Sequence, residues 1–360
     1  MILLAALILA LTGCVLPTQA VDLEGQLWEQ MGTSALEDAA EGTFSVKEGT
    51  NLQKGLGVLA SQASEQVDAV LHSAFRSAGF MLLVVLFCGV GSTLFQSGQS
   101  AMTRTADLIG VTVITLVAVS DTASMLGLGR EAIDQIDAFS KVLIPTMATA
   151  TAACGSVTGA VVRQAATLLF SDLLITLINR VLIPLVYLYI AVTAATAALG
   201  SKGIAAIAGF MKKGVKGVMT AILLVFTGYL TLSGAAAGAA DATALKATRM
   251  AISSMVPVVG GILSDATETV LTGASAIRSG IGIFGTLVIL GFCVVPFLYL
   301  GVQYLVYKLV AMLASVLYQG AISDLIDQIG AAFGLVLGML GSCALLVLLS
   351  LIGTISVAMT

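Results

Sequence analysis

Charge is the scarcest ingredient of this sequence. Of 360 residues, 16 are Lys or Arg and 20 are Asp or Glu, 10% in all, where a soluble domain carries about 25%. There is one histidine, His72, so zinc and haem sites lack ligands. The five cysteines, Cys14, Cys88, Cys154, Cys293 and Cys343, share no metal-like spacing and imply no disulfide framework. The last four lie in apolar stretches and read as small hydrophobes in helix packing. No HExxH, no GxxxxGK[ST] and no aspartate pair in a GxGD context occurs, which removes metalloprotease, P-loop ATPase and aspartyl protease readings. Gly280-Ile-Gly282-Ile-Phe-Gly285 matches a dinucleotide fingerprint by letter, but no strand precedes it and no ribose-binding acid follows. Gly273-Ala-Ser275 resembles a nucleophile's surroundings, yet His72 is remote. No cofactor and no enzymatic activity are implied. No basic stripe alternates with aromatics, so nucleic-acid binding is unsupported.

What the chain has in abundance is apolar surface: 58% hydrophobic residues, with a mean hydropathy of +1.05. A water-soluble core of this size could not hide so much, so most of it must face lipid. The fold class expected is all-α, a polytopic transmembrane helical bundle of about six to eight spans. The domain division expected is a signal peptide at 1–20, an exported acidic, partly helical region at 21–78, and a multi-span domain at 79–360.

Met1 to Val15 is almost uninterrupted apolar sequence, and Pro17-Thr18-Gln19-Ala20 follows it. Cleavage after Ala20, lipidation at Cys14 in the lipobox-like Leu11-Thr12-Gly13-Cys14, and an uncleaved anchor all stay open. Each puts the next region outside the cytoplasm. That region carries nine acids between Val21 and Ala78 against Lys47, Lys54 and Arg76. Leu52, Leu56, Leu59, Ala63, Val67, Val70 and Ala74 recur at helical spacing, giving one apolar stripe. One stripe cannot bury itself. Its acidic face argues against anionic lipid, so it needs a protein partner or a docking surface on its own chain.

Spanning the hydrocarbon takes about 20 residues. Uncharged runs of that order occupy 77–103, 142–162, 181–201, 217–240, 279–307 and 328–360, with shorter ones at 108–120, 250–264 and 309–323. The run at 108–120 spans only if Asp121 is carried to the interface. Beyond it, Arg130, Glu131, Asp134, Asp137 and Lys141 alternate with Ile133, Ile136 and Phe139, as an interfacial helix would. Between Leu173 and Ala240 the only charges are basic, Arg180, Lys202, Lys212, Lys213 and Lys216, so the loop at 202–216 belongs in the cytoplasm. A full span at 142–162 would put it outside. That run, rich in small and polar residues, is therefore read as a re-entrant or broken segment. In this scheme 241–278 is external with a half-span at 250–264, and 309–323 with 328–360 forms a final hairpin.

The prolines suggest an internal duplication. Pro145 and Pro184 lie 39 positions apart, as do Pro257 and Pro296, at an offset of 112. The expected unit is a broken half-span followed by a proline-containing full span, repeated in parallel, with all four prolines breaking helices. Gly234-xxx-Gly238 and Gly334-xxx-Gly338 would let helices pack closely in a bundle or homo-oligomer. Ionisable residues within apolar segments are functional candidates. They are Arg163, Asp172, Asn179 and Arg180 in the first copy and Asp265, Glu268 and Arg278 in the second, with Asp324 and Asp327 further on. They could line a polar path, contact a partner, or mark interfacial loop ends. Asn179-Arg180, just before Pro184, is the best single candidate for a buried polar pair.

Several stretches resemble the stage III sporulation protein AE family. These are the exported acidic region, Ser171-Asp172-Leu173-Leu174 through Asn179-Arg180 to Pro184, and Val256-Pro257-Val258-Val259-Gly260-Gly261-Ile262-Leu263-Ser264-Asp265-Ala266 followed by Gly282-Ile283-Phe284-Gly285. The resemblance implies a protein of endospore-forming bacteria in the mother-cell membrane around the forespore. It would join other membrane proteins of its operon and a forespore-side partner in a channel-like complex needed after engulfment. A self-sufficient secondary transporter for a small solute, or a passive membrane scaffold, are the competing readings.

Overall fold

A computed structural model describes Ala40 and residues 52–94, 100–154, 157–255, 260–318 and 320–356. Every element among them is helical. The chain forms α1 (Leu52–Leu94), α2 (Ser100–Ala153), α3 (Val157–Leu177), a π-helical turn (Ile178–Leu182), α4 (Ile183–Leu199), α5 (Lys202–Met255), α6 (Gly260–Leu317) and α7 (Ala321–Ser356). Among the described residues, six stretches are long and apolar enough to cross a membrane: Gln53–Gly91, Leu108–Ala153, Gln164–Leu199, Lys202–Leu232, Ser275–Leu317 and Ala321–Ile352. The protein is a multi-pass all-α membrane bundle, and the described residues supply six of the expected six to eight spans.

Successive spans run antiparallel. Along α6 and α7, the most extensive helix pair, Gly330 meets Tyr307, Gly334 meets Tyr304 and Gly341 meets Phe297. Tyr189 donates to the Gln328 carbonyl at 3.2 Å, while Thr167 and Ser350 share a hydrogen bond at 2.6 Å, so α3–α4 runs opposite to α7. The start of α2 lies beside the end of α1 and the start of α7, because Gly110 is flanked by Cys88 and Ile322.

The amphipathic stripe finds its surface on this chain. Leu59, Val70, Ala74, Ala78, Met81 and Val85 are buried in one line, and Gly55 sits against Leu287 of α6. The expected boundary at 78/79 falls inside α1, where the stripe passes into the first span without a break.

Four expectations about where helices begin and end are corrected together. Residues 108–153 all lie in one helix, α2, and 130–141 is a continuous part of it rather than a separate helix. Its apolar side, Ile133, Ile136, Phe139 and Leu143, is buried against α6, with the Phe139 ring 6.4 Å from Phe284 and 5.9 Å from Phe292. Its charged side stays exposed. Merging 108–128 with 142–153 also removes the parity conflict that called for a re-entrant segment. With one crossing instead of two, Lys202 falls at the same end of the bundle as the start of α2. Of the expected half-span at 250–264, residues 250–255 end α5 and 260–264 begin α6, with 256–259 outside the described residues, and 309–317 completes α6 rather than opening a hairpin.

The prolines do not act alike. Pro145 and Pro296 lie inside continuous helices and break neither. A helical proline removes one backbone bond, a loss that surrounding helices can absorb when the remaining turns are packed. Pro184 opens α4, and the turn before it widens to π, with the Ile183 N–H bonding the Ile178 carbonyl. Pro184 has no N–H to offer the Arg180 carbonyl, which accounts for an irregular turn here. Pro257 lies outside the described residues. The two copies therefore differ: the first reverses after Cys154, while the corresponding stretch of the second continues uninterrupted through α6.

Asp121 lies on the α6 side of α2, toward the α6–α7 hairpin end. It is held within the bundle, accepting from Tyr307 Oη at 2.9 Å and Gln303 Nε2 at 3.2 Å. Tyr307→Phe is expected to cost about 1.5–3 kcal/mol, the range for a hydrogen bond to a charged group. Thermal unfolding of the detergent-solubilised protein would read this as a lowered midpoint, and an unchanged midpoint would show that the bond contributes nothing net.

Candidate functional site

The charged side of α2 and the helix that follows it form one polar groove. In α2, Arg130, Asp134, Asp137 and Lys141 occur at spacings of three and four, so they project from neighbouring faces of the same helix. Arg130 Nε lies 3.9 Å from Asp134, and Lys141 Nζ lies 2.7 Å from Asp137. From the opposite wall, Asn179 Nδ2 donates to Asp134 Oδ1 at 3.2 Å, a contact across 45 sequence positions. Asp172 is exposed on α3 and acts electrostatically on Lys141.

The depth of the groove makes it unusual. Gly129, beside Arg130, packs against Val336 and Leu300, which a β-carbon there would meet at 2.8 Å and 3.6 Å. Both lie near the middle of the two most apolar spans, Ala321–Ile352 and Ser275–Leu317. Side chains at this level still point outward: Arg130 is 58% exposed and Asp134 54%. Charge facing hydrocarbon at mid-span costs several kcal/mol per group, so such residues characteristically face water or protein. Much of the remaining surface is apolar, with Leu188, Leu224, Val225, Leu309 and Val316 exposed, and exposed charge recurs at Lys213 and Lys216 of α5.

The π turn sits at this wall. Single π turns within α-helices recur at functional sites, because the extra residue re-aims side chains. Here the turn contains both Asn179 and Arg180. They do not form a buried pair. Asn179 is half-buried against α2, its Oδ1 without a donor among the described residues, while Arg180 is exposed. Consecutive residues on a helix point about 100° apart, so only one of them can face α2.

The other sequence candidates distribute as follows. Arg163 lies in α3, and Asp265 and Glu268 lie near the start of α6, but their side chains fall outside the described residues. Arg278 marks no loop end: it is buried in α6 at 2% exposure, away from the groove. Asp327 pairs with Lys308 at 2.5 Å, joining the α6–α7 hairpin near its turn. The groove residues Arg130, Asp134, Asp137 and Lys141 were legible as an amphipathic pattern. Their neighbours across the groove were not, since nothing local in the sequence connects position 134 to 179.

A cavity of about 390 Å³ lies between α4, α5 and the start of α7, lined by Thr193, Thr196, Lys202, Asp324 and Gln328 among others. It sits by the Gly200 turn, at the end of the bundle, whereas a transporter's solute site is expected near mid-span.

The family model described as stage III sporulation protein AE matches residues 49–359. The chain is similar to the stage III sporulation protein AE of Bacillus subtilis (strain 168), at 23% identity over 276 residues, 76% of this chain and 69% of that one. No solved structure matches. With nearly all of the membrane bundle inside the matched region, the chain belongs to the stage III sporulation protein AE family.

Proposed function

We propose that this protein is a membrane subunit of a sporulation-specific channel complex linking mother cell and forespore, and that the α2/α3 groove forms part of its polar path. The observation that carries this is the exposed charge at mid-span. A bundle that only had to sit in lipid would not keep Arg130 and Asp134 outward there. In the complex that wall faces a water-filled passage, closed on its far side by other membrane proteins of the same operon or by further copies of this chain. The forespore-side partner would meet the N-terminal region. Orientation follows from Arg104 and Lys202, which open α2 and α5 at the same end of the bundle, an end the positive-inside rule assigns to the cytoplasm. The N-terminal region then faces the space between the two membranes, and the protein resides in the mother-cell membrane.

The test is thiol accessibility in sporulating cells. Single cysteines replace Asp172, Lys141, Leu188 or Leu224 in a chain whose native cysteines are changed to alanine. A water-soluble maleimide is expected to label positions 172 and 141 and to spare 188 and 224, which face lipid. Equal protection of all four would remove the polar path. Labelling of 172 and 141 only in cells lacking the operon partners would favour the scaffold reading, in which the groove is a contact surface.

A further inference from the structure

Arg278 is the largest fully buried side chain among the described residues. Ile277, Ile281 and Phe284 beside it on α6 are equally buried, at 3%, 1% and 1% exposure. Its Nε and Nη2 atoms have no hydrogen-bond acceptor among the described residues. A lysine or carboxyl in this position could shed its charge, but a guanidinium stays protonated at any pH a protein survives. The burial is therefore a standing cost unless an anion offsets it.

Two features indicate what kind of anion. Nε and Nη2 form one edge of the guanidinium, the edge that takes a planar oxyanion through two parallel N–H···O bonds. Among the described residues, no acid forms an ion pair with it either. Arg278 lies close enough to Cys154, at the reversal between α2 and α3, to oppose the upward push that burial gives the thiol. Just beyond that reversal α3 begins at Val157, and the first N–H groups of a helix lack intrahelical partners and carry the positive end of its dipole. A singly charged group would cancel the guanidinium with the least desolvation of its own, which favours a carboxylate over a phosphate.

We propose that Arg278 is a carboxylate-binding residue, gripping the ligand side-on through Nε and Nη2 beside the α2/α3 reversal. The carboxylate comes either from a side chain of a partner subunit or from a small organic acid. Because Arg278 is closed off at 2% exposure, binding requires the helices packed around it to part. The proposal does not depend on the groove forming a path.

The test compares the full chain with Arg278→Met and Arg278→Lys. In detergent, Arg278→Met is expected to melt at the same temperature as the parent or higher, since methionine fills similar volume without a charge to desolvate. In sporulating cells, both variants are expected to lose spore formation at undiminished membrane levels, because lysine restores the charge but not the two-pronged edge. The source is then read in two arms. If acetate or propionate raises the melting temperature of the parent but not of Arg278→Met, the ligand is a free carboxylate. If these acids do nothing and Arg278→Met no longer co-purifies with the operon partners, the carboxylate belongs to a partner. Normal sporulation of Arg278→Met, or a lowered melting temperature of that variant, would overturn the assignment. So would loss of sporulation with neither stabilisation by acids nor loss of partners.

Discussion

Asp134→Leu is expected to reduce heat-resistant spores to the level of a strain lacking the gene, with the protein still present in the membrane at normal amount. Asp134 links the two walls of the groove, accepting from Asn179 at 3.2 Å and lying 3.9 Å from Arg130. Its side chain is 54% exposed, so its removal should barely affect folding, because exposed ion pairs contribute about 0–1 kcal/mol. What changes is the electrostatics of the groove. Arg130 loses its negative neighbour, and Asn179 loses the acceptor that orients it. Asp134→Asn keeps an acceptor without the charge and is expected to retain intermediate yield. As the control, Leu188→Ala trims the exposed apolar surface of α4 and is expected to sporulate normally. Full yield from Asp134→Leu would mean that the mid-span charge is dispensable, and the groove would lose its claim as the functional site.

Gly330→Val should produce the largest loss of stability. A β-carbon at Gly330 would lie 3.0 Å from Tyr307 Cβ and 3.7 Å from the Lys308 backbone nitrogen. Neither atom can swing aside as a side-chain tip would, so α7 must move off α6 along their most extensive contact. Overpacking of this kind costs about 1–3 kcal/mol. The displacement would also carry Tyr307 away from Asp121 and disturb the Lys308–Asp327 pair. The comparison variant is Gly301→Ala on the same helix, where a β-carbon meets nothing within 4 Å. There the replacement is expected to stabilise by about 0.5–1 kcal/mol, because alanine is the better helix former. Thermal unfolding in one detergent reads both. Equal midpoints for the two variants would show that the α6–α7 crossing is not as tight as its geometry implies. Gly334 and Gly338 act in the same way at less crowded points, facing Tyr304 of α6 and Met219 of α5.

The membrane class and helical fold were legible in composition, because an excess of apolar surface has few other places to go. Most of the apolar runs were legible too, since an uncharged stretch of spanning length can be read locally. So was the stripe from Leu59 to Ala74, whose period requires a covering surface but does not say which one. Helix continuity was beyond local reading. The charges at 130–141 look like an end to a span, and only packing of Ile133, Ile136 and Phe139 on α6 shows one helix running through them. That packing also settled the role of Pro145, since a proline interrupts a helix less readily when its neighbours hold the remaining turns in place. Asn179 stood out in the sequence beside Pro184, but its partner Asp134 lies in a different helix and no periodicity connects the two. Arg278 looked like a loop-end charge until the fold closed over it. Sequence by itself determined which segments must leave water, because transfer from water is a property of each segment alone. Tertiary structure decided which charges meet, which remain exposed at mid-span and which is buried with no partner among the described residues, because those depend on helices brought together from distant parts of the chain.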